Sequence, residues 1–312
     1  MEKALLKTLI YADIFDYPLK INEIHKWLIG PSAGRAGKKV TLRQIEKALS
    51  KLNQELRISS YRRYYFLRKR DGIVAQRLRR EKQSAQYLRK AKILSQILKI
   101  IPWIKLVGVS GGLALHNASK KDDIDLFIII GRNRLWISRL LTLGLLSLIG
   151  QRRKVGEKGR KIAGKLCFNI LLEEDRLEQE NKDIFVAHEI LQMKVLWQRD
   201  GVYSKYLEDN SWAFKFLQNW VSDSSLSLRG SRRGGGRSNL ARINSISRLL
   251  RFFWSLAMTG IEKQAKWWQL KIMQKPKGME RIEEGALYFH PEDCRLEVLK
   301  KYEQKLRKLI SP

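Results

Sequence analysis

Residues 108–130 read GVSGGLALHNASKKDDIDLFIII, and this stretch decides how the chain is interpreted. An apolar segment ends in a glycine pair at positions 111 and 112. Ten residues after the second glycine the chain reaches the first of three aspartates, at positions 122, 123 and 125. The apolar run 126–130 follows at once. This order predicts two buried strands joined by a glycine turn and a short helix, with carboxylates at the start of the second strand.

The carboxylates of Asp123 and Asp125 are predicted to project to the same side, because side chains alternate along a strand. Two neighbouring carboxylates repel each other and are stabilised by a divalent cation. Mg²⁺ in particular is held by one or two carboxylates and substrate phosphates. Gly111 and Gly112 would let a triphosphate approach the backbone, and Ser110 would add a hydroxyl. A phosphate cradle followed by metal-binding carboxylates is typical of phosphoryl or nucleotidyl transfer.

Gly111-Gly112 after an apolar strand, followed by Asp123-Ile124-Asp125 at the head of another, resembles the DNA polymerase beta-like nucleotidyltransferase superfamily. The resemblance covers residues 105–130 well and extends more loosely to 173. The chain also resembles a family of bacterial proteins, mainly from candidate phyla with small genomes, in which a winged helix precedes such a domain. The resemblance implies NTP as a substrate, Mg²⁺ as the cofactor, and a hydroxyl acceptor on nucleic acid, protein or a small molecule.

The third strand, residues 166–173, departs from the superfamily pattern. Active members usually carry a third carboxylate on this strand. Strict alternation predicts a single face made of Cys167, Asn169, Leu171 and Glu173. Its central polar residue, Asn169, is no base, and Glu173 is the remaining candidate for the third acid. The alternative is an inherited fold whose aspartates only bind nucleotide or cap a turn.

The charge of the chain is strongly one-sided. Its 312 residues include 62 Lys+Arg and 31 Asp+Glu, which gives a net charge of +31. Such a field attracts polyanions, of which nucleic acid is the commonest in a cell, although a solvated basic surface is the alternative. Cys167 and Cys294 are the only cysteines, and their spacing supports neither a disulfide framework nor a zinc site.

Residues 1–70 are predicted to fold as three short helices and a basic hairpin, the order of a winged helix-turn-helix. Thr41 and Gln44 form a predicted capping box at the start of the third helix. We expect nucleic-acid contact, to DNA or RNA, through the third helix and hairpin, at Arg43, Lys47, Arg62 and Arg63. A winged helix used only for protein contact is the alternative.

The pattern therefore predicts an α+β chain with a small α/β nucleotidyltransferase core. The predicted parts are a winged helix-turn-helix (1–70), a linking helix (71–104), the core (105–175), a helical extension (176–222), a flexible basic linker (223–239) and C-terminal helices (240–312). The apolar segment 135–149 is too short to cross a bilayer and contains Arg139, so we expect no membrane contact and a cytoplasmic location.

Three functions remain open at this stage. The first is a Mg²⁺-dependent nucleotidyltransferase in which Asp123 and Asp125 are catalytic. The second is a nucleic-acid-binding regulator whose degenerate nucleotidyltransferase domain senses nucleotide, which Asn169 favours. The third is an antitoxin-like interaction protein whose aromatic C-terminal helices contact a protein partner.

Overall fold

The chain combines helices with two β-sheets and is of the α+β class. The computed structural model describes residues 1–30, 40–70, 72–153, 157, 159–221, 243–273, 281–289 and 294–310, with side chains from 258 onward in the 243–273 helix. The predicted linker 223–239 lies outside these residues.

The N-terminal region contains the three helices and the hairpin that the sequence predicts. They are α1 (Glu2–Ile14), α2 (Ile21–Lys26), α3 (Leu42–Gln54), β2 (Ile58–Tyr61) and β3 (Tyr64–Leu67). A two-residue strand that the sequence did not reveal, β1 (Leu19–Lys20), pairs antiparallel with β3 and completes a three-stranded sheet. The capping box of α3 is confirmed, because the Gln44 amide N–H donates to Thr41 Oγ1 and the Thr41 amide N–H donates to Gln44 Oε1.

Helix α4 (Ile73–Ile97) joins this region to the rest of the chain. Its buried Arg77 lies 3.6 Å from the ring centroid of Tyr17 and forms ion pairs with Glu23 at 2.7 Å and Glu81 at 2.9 Å. The Tyr17 hydroxyl donates in turn to the carbonyl oxygen of Leu115 at 2.8 Å. A buried charge is tolerated only with such partners. This network therefore joins the N-terminal region to α4 and to the segment that contains Leu115.

The central sheet has six strands in the order β7-β4-β5-β6-β9-β8. Only β5 and β6 are parallel; the other neighbours are antiparallel. The strands are β4 (Ile104–Val109), β5 (Ile124–Ile130), β6 (Leu166–Glu173), β7 (Lys194–Gln198), β8 (Arg281–Glu283) and β9 (Ala286–Tyr288). The first three match the strands predicted for the core.

Helices cover both faces of this sheet. They are α5 (Gly111–Ala114), α6 (Leu135–Leu148), α7 (Ile184–Gln192), α8 (Val202–Asp209), α9 (Ile243–Met273) and α10 (Cys294–Ile310). Helices α4, α6 and α9 pack on the face that carries Leu126 and Ile128. Helices α7 and α8 pack on the face that carries Phe127 and Ile129, and α10 packs against α7 and α1. Because side chains alternate along β5, they pack into two separate apolar layers, one on each face of the sheet.

Two buried carboxylates cap the N-terminus of α6. Glu173 Oε1 accepts the amide N–H groups of Arg134 at 3.0 Å and Leu135 at 3.2 Å. Glu262, on α9, accepts those of Trp136 at 2.7 Å and Ile137 at 2.9 Å. Together they satisfy the first amide groups of a helix, which have no partner inside it. Within the described residues, no helix combines the length and apolarity needed to cross a bilayer.

One helical prediction is wrong. The segment DIFVAHEILQMKVLWQR, within the predicted helical extension, leaves the helix at Met193 (φ −50°, ψ 126°) and continues as the edge strand β7. Val195 and Trp197 alternate with more exposed neighbours and are buried against β4, so tertiary pairing overrides the helical pattern. The hairpin β8–β9, between the two C-terminal helices, was also not predicted.

Candidate metal and nucleotide site

Asp123, Asp125 and Cys167 form a cluster at one end of β5 and β6. One ligand atom from each lies within 4.8 Å of the other two, a grouping that could hold a metal ion. Asp123 and Asp125 come together because alternation places them on the same side of the chain. Cys167 joins them because it is the cross-strand partner of Asp125 in the parallel β5–β6 pair.

Strand β6 contains a bulge directly after the Cys167–Asp125 and Phe168–Leu126 pairs. Leu126 pairs with Phe168, whereas Phe127 pairs with Ile170, so Asn169 is an extra residue. Strict alternation breaks there, and the expectation that Cys167, Asn169 and Glu173 share one face is wrong. Asn169 is buried, and its amide donates to Ser110 Oγ at 3.1 Å.

Glu173, the sequence candidate for the third acid, does not join the cluster. It pairs with Ile130 at the far end of β6, roughly 15–20 Å along the strand from Cys167. Beyond the bulge its side chain lies on the opposite face and caps α6, as described above. Its role in the fold is therefore to satisfy backbone amide groups.

The glycine turn lies directly against the carboxylates. The Ser110 amide N–H donates to the Asp125 carbonyl oxygen at 3.1 Å. Gly111 has φ +60°, and a Cβ atom at this position would lie 3.2 Å from Asp125 Oδ2. Glycine is therefore favoured here both by its left-handed backbone and by the nearby carboxylate. At Gly112 an added Cβ would make only an ordinary contact, 3.7 Å from the Asn117 carbonyl oxygen.

Burial and mutual repulsion raise the pKa values of two groups in the cluster. Burial, and then the neighbouring Asp123 carboxylate, raise the pKa of Asp125 to about 8. Burial and the two aspartates likewise raise the pKa of the Cys167 thiol to about 12. Arg153 forms an ion pair with Asp123 at 2.6 Å and lies 3.7 Å from Cys167 Sγ. Arg153 thus neutralises Asp123, whereas Asp125 with its raised pKa stays largely protonated near neutral pH, and a divalent cation bound between the two would favour its ionised form.

Glu189 on α7 is the acidic residue that sequence reasoning missed. Its carboxylate accepts a hydrogen bond from the Gly111 backbone, and burial raises its pKa to about 7. Its charge also contributes to the raised pKa of Asp125. The sequence showed only a His-Glu pair without the second histidine of a zinc site. His188 is indeed structural, since it is buried and stacks on Tyr11 at 4.0 Å.

The basic residues predicted to contact nucleic acid lie on a different part of the molecule. Arg43 and Lys47 are exposed one turn apart on α3. Arg62 and Arg63 are exposed in the turn between β2 and β3, both with positive φ, and Arg62 lies over the ring of Tyr61 at 5.3 Å. Helix and hairpin thus present cations to solvent and not to the carboxylate cluster.

No family model matches the chain, and no curated protein matches it either. The chemistry of the site must therefore be inferred from its own residues.

Proposed function

We propose that the chain is a Mg²⁺-dependent nucleotidyltransferase that moves a nucleoside monophosphate from an NTP to a hydroxyl acceptor. The observation that carries this proposal is the contact between the glycine turn and the paired aspartates. Gly111 lies so close to Asp125 that a Cβ atom would approach its Oδ2 to 3.2 Å. A triphosphate bound along this turn would reach the carboxylates that hold its metal ion.

Two of the three residues in the cluster are suitable ligands for Mg²⁺. Asp123 and Asp125 supply the carboxylate oxygens that this ion prefers. The Cys167 thiol, whose pKa is about 12, stays protonated and is unsuited to Mg²⁺. When bound, the ion would neutralise phosphate charge and align the triphosphate. The remaining coordination positions would fall to phosphate oxygens and water.

The chain's own residues account for the rest of the reaction. The acceptor oxygen attacks the α-phosphorus, the bond from that phosphorus to the bridging oxygen breaks, and pyrophosphate leaves with the electron pair. Glu189, beside Gly111, is our candidate to take the acceptor proton. Arg153 lies within 2.6 Å of Asp123 and would stabilise the leaving charge.

The test is incubation with each α-³²P-labelled NTP and Mg²⁺, with and without bulk RNA and cell extract. We expect label on an acceptor from the wild-type protein and none from the Asp123→Asn/Asp125→Asn variant. Asp122→Asn is the matched control, because Asp122 accepts hydrogen bonds from Ser119 and is not part of the cluster. Undiminished transfer by the double variant would exclude the carboxylates as metal ligands.

Glu189→Gln separates the proton-accepting role from metal binding. We expect transfer to fall by about 10²-fold, with NTP and metal binding kept, because the amide preserves the shape but takes no proton. The low-pH limb of the rate profile, set by a group with a pKa of about 7 in the wild-type protein, should disappear. An unchanged rate and pH profile would assign the proton to another group and leave the metal site untouched.

A second function is favoured by the thiol at the third position of the cluster. We propose as the alternative a nucleic-acid-binding regulator that senses NTP without turning it over, since the β6 residues near the aspartates, Cys167 and Asn169, are not carboxylates. The helix order of residues 1–70, with Arg43, Lys47, Arg62 and Arg63 exposed, supports a winged helix as the nucleic-acid-binding part. Metal-dependent NTP binding without label transfer to any acceptor would favour this function.

A further inference from the structure

A groove between α4 and the end of α6 has an apolar floor and a basic rim. It has a volume of about 440 Å³ and is lined by Lys90, Ile93, Leu94, Ile97, Ile149 and Gln151. We refer to it as the α4–α6 groove. It lies on the sheet face that carries Leu126 and Ile128, whereas Asp125 projects to the other face. The groove is thus separate from the carboxylate site.

The apolar residues at this groove follow the spacing of helical surfaces. Along α4 and the 3₁₀ turn after it, Ile93, Ile97 and Ile100 are 68%, 38% and 77% exposed. At the end of α6 the lining residue Ile149 is 36% exposed, and its neighbour in the chain, Leu148, is 86% exposed. Ile93, Ile97 and Ile100 are spaced at i, i+4 and i+7, which makes an apolar edge along the α4 wall. Exposed patches of this kind mark interaction sites more often than chance positions.

The walls of the groove are held in place by packing. On the inner side of α4, Leu94 and Leu98 are buried against the central sheet. The Trp197 indole N–H donates to the carbonyl oxygen of Ser95 at 2.5 Å and ties α4 to β7. The groove is therefore preformed, which lowers the entropic cost of binding.

The charge around the groove has one sign. The lining contains Lys90 and no Asp or Glu, and the adjoining chain, residues 82–100 and 135–151, contains no acidic residue either. Arg89 and Lys92 are exposed on α4 and Lys99 in the 3₁₀ turn after it, and burial lowers the pKa of the Lys90 ammonium group. An ammonium group that is partly removed from water is stabilised by an incoming carboxylate.

We propose that the α4–α6 groove binds an acidic amphipathic helix of a partner protein. Such a helix places apolar side chains at i, i+3, i+4 and i+7 into a groove and its carboxylates on the surrounding lysines and arginines. A second copy of this chain is disfavoured by the net charge of +31 on each molecule. A bilayer surface fits less well, because the exposed apolar residues of the groove are all aliphatic and lack the Trp and Tyr of interfacial segments.

The probe is a fluorescent, side-chain-stapled peptide of about 14 residues, with leucines along one face and glutamates elsewhere, measured by anisotropy against the full chain. We expect binding that weakens with salt and that falls at least ~10-fold in Ile93→Ser/Leu148→Ser. The matched control is Ile272→Ser/Leu296→Ser, whose residues are 62% and 60% exposed on other helices and should leave binding unchanged.

Two further probes decide whether this groove recognises a helix. A peptide of the same composition with its leucines dispersed around the helix, and vesicles of phosphatidylglycerol and phosphatidylcholine, should bind wild-type protein and Ile93→Ser/Leu148→Ser equally. Equal binding of the patterned and dispersed peptides would overturn the proposal, as would a loss in the control variant matching that in the groove variant. Vesicle binding that depends on Ile93 and Leu148 would assign the groove to a membrane surface instead.

Discussion

Two pairs of carboxylates, one buried and one half-buried, lie on opposite sides of the same sheet and show how one chain uses acidic residues in two ways. Glu173 and Glu262 each accept hydrogen bonds from two backbone N–H groups at the start of α6, so their carboxylates stabilise that helix. Asp123 and Asp125 lie beside each other and a thiol, and the pKa of Asp125 rises to about 8. Acidic side chains that lie against each other and cap no helix are the candidates for holding a metal and its substrate.

The largest effect is expected at the aspartate pair. Asp123→Asn/Asp125→Asn should lower nucleotidyl transfer by ~10²-fold or more, because the oxygens that hold the metal ion lose their charge. The free energy of unfolding in urea should not fall, since the substitutions also remove repulsion between two carboxylates. A large loss of stability would show that the pair belongs to the fold, like the capping pair.

The capping pair should give the opposite result. Glu173→Ala or Glu262→Ala leaves two buried amide groups without an acceptor and should lower the free energy of unfolding by about 1–3 kcal/mol. Metal binding by the folded fraction should stay unchanged, because neither residue is in the cluster. Loss of metal binding in Glu173→Ala at full folding would restore Glu173 as the third acid.

The pH dependence of stability should report on Asp125. The folded-state pKa of Asp125 is raised, so the folded protein binds more protons than the unfolded chain between about pH 4 and 8. In the absence of divalent metal, stability is therefore expected to fall as pH rises through this window. Calorimetric Tm values at about pH 5 and about pH 8.5 test this. The fall should be smaller in Asp125→Asn, whereas an equal fall in that variant would place the responsible group elsewhere.

The smallest effect is expected for Arg62 and Arg63, two solvent-exposed cations that belong to neither carboxylate pair. If Arg62 and Arg63 contact phosphates, Arg62→Ala/Arg63→Ala should reduce the slope of log K against log salt by about 1–2 for duplex DNA. Transfer to a small-molecule acceptor should not change. An unchanged slope would show that nucleic acid, where bound, contacts another surface.

Much of the central fold could be predicted from the chain. The apolar runs at 105–110, 124–130 and 166–173 are long and bounded by polar or glycine residues, and each became a strand. The pairing of Asp123 with Asp125 followed from alternation over three residues, a distance too short for an irregularity to intervene. The capping box at Thr41 depended on local contacts alone.

The rest depended on contacts between distant parts of the chain. The bulge at Asn169 reverses the faces on which the later β6 side chains lie, including that of Glu173. No residue near the bulge signals this change in the sequence. Strand β7 follows a helix without a glycine or proline and forms only because β4 offers an edge. Glu189 reaches Gly111 across 78 residues, so spacing along the chain could not connect them.

The most direct test of the central claim is a Mn²⁺ titration followed by electron paramagnetic resonance, with and without a non-hydrolysable NTP analogue. Mn²⁺ stands in for Mg²⁺ because both prefer oxygen ligands. The account predicts Mn²⁺ binding that the analogue tightens in wild-type protein and in Asp122→Asn, and that is lost in Asp123→Asn/Asp125→Asn. Equal Mn²⁺ binding in the double variant, or none in wild-type protein with the analogue present, would contradict a metal-bound nucleotide at this pair.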